Sequence, residues 1–89
     1  MGRETVLFKS EEKKSRDEAV TILRQIADKV ETGNLSLQQG SESLNLHFPR
    51  NLTLEIKAEE ESGKRTKRSL EIELEWIVGD QSQGSMVVG

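Results

Sequence analysis

From Ser69 to Trp76 the chain alternates apolar and charged residues: Leu70, Ile72 and Leu74 fall at even positions, Glu71, Glu73 and Glu75 at odd ones. Side chains along a strand point to opposite faces with a period of two, so this stretch predicts a strand with one apolar and one acidic face. Trp76, the sole tryptophan, continues the even series and is expected to close one end of a core. The same period runs through Leu35 and Leu37, through Leu44, Leu46 and Phe48, and through Leu52, Leu54, Ile56 and Ala58. Gly40-Ser41 suits a two-residue hairpin turn with glycine first, which sets Leu37 opposite Leu44 and Leu35 opposite Leu46. Pro49-Arg50-Asn51 is expected to reverse the chain again, with Phe48 opposite Leu52, so that the apolar face continues across the turn.

Between Ser15 and Gly33 the period is that of a helix. Ala19, Ile22, Leu23, Ile26, Ala27 and Val30 recur at the i, i+3, i+4, i+7 spacing of one helical face. Ser15-Arg16-Asp17-Glu18 reads as a capping box: the Ser15 oxygen accepts from the Glu18 amide while the Glu18 carboxylate accepts from the Ser15 amide. Gly33 supplies the C-terminal stop. Ahead of the helix, Thr5-Val6-Leu7-Phe8 is a short β-prone run and predicts a first strand, followed by the charged segment from Lys9 to Lys14.

The final hairpin turns around Ser62-Gly63-Lys64-Arg65, and two registers keep the apolar residues on one face. With Ala58 opposite Leu70, Lys57 faces Glu71, Glu61 faces Lys67, and only Glu55 and Glu73 form a like-charged pair. With Ala58 opposite Ile72, Glu59 meets Glu71 and Glu55 meets Glu75. Cross-strand charge pairs favour the first register.

An amphipathic helix and an antiparallel meander with one apolar face each need a cover, and each can supply the other's. The expected fold is therefore α+β, a two-layer sandwich of one helix on a mainly antiparallel sheet in the order β-α-β-β-β-β. Its core would include Leu23, Ile26, Phe48, Ile72, Leu74 and Trp76. Residues 1–78 are expected to form one domain, and the polar, glycine-rich residues 79–89 a flexible tail.

Composition narrows the functional classes. A chain of 89 residues buries only a modest core, which makes association with a partner a natural source of extra stability. Cysteine is absent, so disulfides, thiolate zinc sites and thiol nucleophiles are excluded. No segment approaches the roughly 18 apolar residues of a membrane span, and the N-terminal stretch lacks the apolar run of a signal peptide, so a cytoplasmic protein is expected. Thirteen basic and sixteen acidic residues give a net charge of -3, which disfavours a broad nucleic-acid-binding surface.

Three groups of residues could carry chemistry. Glu71, Glu73 and Glu75 sit two apart on a strand, about 6.8 Å along the chain, too far to converge easily on one cation held at about 2.3 Å. They read as a solvated face that discourages aggregation. His47, the single histidine, has neither a cysteine nor a second histidine beside it for zinc, and no serine and aspartate at triad spacing; it reads as a surface residue. Lys64, Arg65, Lys67 and Arg68 form a basic hairpin tip that could meet phosphates. No aromatic residue is interleaved for base stacking, however, and the flanking strands are acidic. No catalytic, metal-binding or cofactor-binding residue is assigned.

The order of the leading β-prone run, the capped helix in VLFKSEEKKSRDEAVTILRQIADKVETGNLSL and the strand SLEIELEW resembles the amphi-Trp domain family of small bacterial and archaeal proteins. That family is named for an amphipathic terminal strand ending in tryptophan, here Leu70 to Trp76. The resemblance runs from about Thr5 to Ile77 and implies the fold without implying an activity or a ligand. The expected function is that of a non-enzymatic module binding other proteins, or a second copy of itself, through a sheet edge or the polar sheet face. The alternative is anion or nucleic-acid binding at Lys64, Arg65, Lys67 and Arg68. No cofactor and no membrane partner are expected.

Overall fold

A computed structural model describes residues 2–79. The class is α+β: a helix, α1 (Arg16–Thr32), precedes four strands, β1 (Asn34–Gln39), β2 (Glu42–His47), β3 (Thr53–Glu61) and β4 (Lys67–Glu75). The chain divides into two compact units, Met1–Phe48 and Pro49–Gly89.

In the first unit the helix begins where its capping residues place it. Ser15 is extended at φ -69° and ψ 161°, its Oγ accepts from the Glu18 amide at 3.1 Å, and Glu18 Oε1 accepts from the Ser15 amide at 3.0 Å. Two amides without helical acceptors are thereby satisfied. Asp17 and Glu18 lie in the first turn and Lys29 in the last, each sign favourable to the helix dipole. The helix stops at Gly33, whose φ of 91° is the left-handed conformation that only glycine adopts cheaply, and whose amide donates to the Val30 carbonyl at 2.9 Å. Directly beyond it, β1 pairs antiparallel with β2, and α1 contacts β1.

The β1–β2 register sets Leu35 opposite Leu46 and Leu37 opposite Leu44, as the alternation predicts. Gly40 at φ 60° and Ser41 close the turn between Gln39 and Glu42. Because no non-glycine residue among those described has a positive φ, the turn is of the glycine-first kind, whose twist matches the strands it joins. Leu35, Leu37, Leu44 and Leu46 are half-buried, as are Ala19, Ile26 and Val30 of the helix.

In the second unit β3 and β4 form an antiparallel hairpin in the register that separates like charges: Ala58 faces Leu70, Lys57 faces Glu71 and Glu61 faces Lys67. The loop from Ser62 to Thr66 joins them. Leu54, Ile56, Ala58, Leu70, Ile72 and Leu74 fall on one face by the period of two.

Two expectations are corrected. The first strand, Thr5–Phe8, does not form: residues 2–15 carry no helix or strand, and Val6 and Leu7 are exposed. A four-residue β-prone run is not a strand until a ladder takes its amides and carbonyls, and no strand pairs with it among the described residues. The order observed is α-β-β-β-β. The expected continuous meander is instead two separate two-stranded sheets, β1–β2 and β3–β4. Alternation places side chains on one face of a strand but does not decide which strands share a ladder. The Phe48 amide donates to the Gly33 carbonyl at 2.8 Å, extending the β1–β2 ladder up to Pro49. The tail expected over residues 79–89 lies outside the described residues except for Gly79.

Candidate functional site

The two faces of the β3–β4 hairpin differ in kind. On the apolar face Leu54 is 56% exposed, Ile56 64%, Leu70 66% and Ile72 54%. Leu74 at the far end is half-buried, as is Trp76, directly after the strand. A two-stranded hairpin has no second layer of its own, so such a face stays open to water until another element covers it. Toward the tip the face ends at Glu60 and Arg68, paired across the strands, with Arg68 Nε donating to Glu60 Oε1 at 2.6 Å. Beside this pair an open hollow of about 570 Å³ is lined by Ala58, Glu59, Glu60, Arg68, Ser69 and Leu70.

The opposite face is acidic. Glu55 stands directly across from Glu73. A hydrogen bond between these two carboxyl groups, with repulsion from Glu55, Glu75 and Glu71, raises the Glu73 pKa above its ordinary value of 4.5. Lys57 tempers the charge, facing Glu71 and lying 3.8 Å from Glu59. Among the described residues no three histidines, aspartates or glutamates gather in a way that could hold a metal ion.

The four cations of the expected basic tip are not brought to one surface. Lys64 and Arg65 lie in the connecting loop, whereas Lys67 and Arg68 open β4 opposite Glu61 and Glu60. Being adjacent on a strand, Lys67 and Arg68 point to opposite faces. Of the expected core residues, Leu23 is 52% exposed on the helix, while Ile26 and Phe48 are half-buried in the same unit. His47 Nδ1 is hydrogen-bonded to Asn34 Oδ1 across β1–β2, next to the Ser36–Asn45 pair at 2.6 Å. These polar pairs lock the strand register and leave the imidazole structurally employed.

One feature escaped the reading of the sequence: the outer edge of β3. No strand pairs with it among the described residues, so one row of its amides and carbonyls lacks a ladder. The signal was present in Leu54-Glu55-Ile56-Lys57-Ala58, where a glutamate and a lysine flank one isoleucine on an otherwise acidic face.

The described residues thus form a capped helix and two short hairpins of the α+β class, with aliphatic side chains exposed on β3–β4. The chain belongs to the Amphi-Trp domain family, whose profile matches residues 1–89. No curated protein and no solved structure gives a significant match. No helix among the described residues is long and apolar enough to cross a membrane.

Proposed function

We propose that this chain is a small non-enzymatic interaction module that acts by protein–protein contact, self-association included. On this reading residues 1–78 work as one domain, a two-layer sandwich in which helix and sheet share a core that protein contact completes. The observation that supports it is the apolar face of β3–β4, where four large aliphatic side chains are each more than half exposed. Water-exposed aliphatic surface of this kind is a source of association free energy, at roughly 25 cal/mol per Å² removed from water. The acidic reverse face keeps such a surface from stacking indiscriminately.

The test is the unfolding midpoint as a function of protein concentration, followed by Trp76 fluorescence. Self-association stabilises the folded chain by mass action, so the midpoint should rise as the chain is concentrated. A midpoint independent of concentration would remove self-association and leave only a different protein as partner.

A further inference from the structure

The open edge of β3 is complementary to itself, and we infer that it pairs antiparallel with β3 of a second copy of this chain, about a two-fold axis at Ile56. The inference rests on the interaction-module reading above and specifies its surface and its partner.

The sequence of the strand selects the register. An antiparallel partner centred on Ile56 sets Ile56 against Ile56, Leu54 against Ala58, and Glu55 against Lys57 of the second copy. By symmetry each of the latter two contacts occurs twice. Both glutamate–lysine pairs are attractive and lie on the polar face. The apolar face gains a large residue beside a small one at Leu54 and Ala58, where the hollow beside Ala58 leaves room.

Neighbouring registers lose these features. Centred on Glu55, the strand sets that glutamate against itself. Centred on Lys57, it sets Lys57 against itself and Glu55 against Glu59. Centred on Ala58, it gains a Lys57–Glu59 pair but sets Glu55 against Glu61 and Ile56 against Glu60. Centred on Leu54, the pairing runs off the strand, which begins at Thr53. A shift by one half-step puts apolar side chains opposite polar ones throughout.

The other long strand offers no such match. Centred on Glu71, Ile72 or Glu73, β4 sets glutamate against glutamate, and centred on Leu70 it sets Ile72 against Arg68. Lys57 is the one cation on β3, between Thr53 and Glu61. It sits one residue from the proposed axis.

Pairing in this way converts two marginal two-stranded hairpins into one four-stranded sheet, β4–β3–β3–β4, with all twelve residues of the apolar series on one face. Isolated hairpins are marginal in water, and sheets of three or more strands with an apolar face are not. The polar reverse face acquires a lysine beside each Glu55, the residue that raises the Glu73 pKa.

The test uses the absence of cysteine. Residues directly opposite on antiparallel strands have Cα atoms about 4.5 to 5.5 Å apart, inside the range a disulfide spans. Ile56→Cys should therefore form a covalent dimer on mild oxidation, and Ile72→Cys, on the adjacent strand, should do so far less. Charge exchange supplies the second arm. Glu55→Lys relieves the intrachain repulsion with Glu73, so it should leave the hairpin at least as stable while weakening the dimer about tenfold or more. Combining it with Lys57→Glu restores both intermolecular pairs and should restore the dimer. If Ile72→Cys cross-links as well as Ile56→Cys, or if a dimer forms that neither charge variant changes, the β3 register is wrong while self-association stands. A chain that stays monomeric overturns both the register and the choice of partner, leaving the module reading to a different protein.

Discussion

Replacing Ile72 with alanine distinguishes an open apolar face from a covered one by the size of its effect. In the single chain Ile72 is 54% exposed. Full burial of an isoleucine side chain contributes about 1.5 to 3 kcal/mol, and with a little under half of it covered the loss on truncation should be about 1 kcal/mol. A covered face adds the missing half together with the cavity left behind, which brings the loss to about 2 to 5 kcal/mol. Urea unfolding followed by Trp76 fluorescence measures this difference directly, at a dilute and at a high protein concentration. The loss should grow from about 1 kcal/mol toward the upper range as the protein is concentrated when a second layer packs on the face, whereas pairing through the β3 edge alone leaves it near 1 kcal/mol. Glu73→Ala, on the opposite face, should cause no comparable loss at either concentration. A loss of about 1 kcal/mol or less from Ile72→Ala at every concentration would show that the face stays open, and would refute the apolar face itself as the surface of association.

Other outcomes follow from single contacts. Ser15→Ala removes the oxygen that receives the Glu18 amide and should cost about 1 kcal/mol, measured by thermal unfolding; an unchanged midpoint would mean that the capping box does not hold in solution. The hydrogen bonds from Ser15 also lower the Glu18 pKa below 4.5, so this contribution is complete above 4.5 and is lost as pH falls through the lowered folded value. Glu73 has the opposite sign: its pKa is raised, so its contribution is complete below 4.5 and is lost as pH rises through the raised folded value. Glu73→Gln should accordingly flatten the pH dependence just above 4.5 and stabilise the hairpin at neutral pH, and a variant less stable at neutral pH would contradict the Glu55–Glu73 repulsion. At the basic tip, fluorescence anisotropy with single- and double-stranded probes should show no tight nucleic-acid binding at physiological salt. Sub-micromolar binding lost on replacing Lys64, Arg65, Lys67 and Arg68 with alanine, with a log–log salt slope approaching about -3, would establish the alternative.

How much of this was legible in the sequence depended on the range of the interactions involved. The helix was legible at both ends because Ser15, Glu18 and Gly33 act on backbone groups within a few residues. Both hairpin registers were legible because Gly40-Ser41 fixes one turn and the glutamates and lysines of β3 and β4 discriminate between alternatives in the other. The first strand was misread because a β-prone run such as Thr5–Phe8 carries no information about whether a partner strand lies beside it. Continuity of the apolar face from Phe48 to Leu52 was likewise a statement about side chains, whereas sheet pairing depends on which backbone edges meet, and the strands pair as β1–β2 and β3–β4. The edge of β3 went unnoticed for a related reason. Charges were weighed only against the neighbouring strand of the same hairpin, and the complementarity of Glu55 and Lys57 emerges when the strand is set against itself.

The most direct measurement is the mass of the chain in solution by sedimentation equilibrium through the micromolar range. A module that completes its sheet and its core with a second copy should move from the 10.0 kDa single chain to twice that mass as concentration rises, and Glu55→Lys should shift the transition to higher concentration. A mass that stays at the single chain throughout the range would contradict self-association as the way this protein completes its sheet.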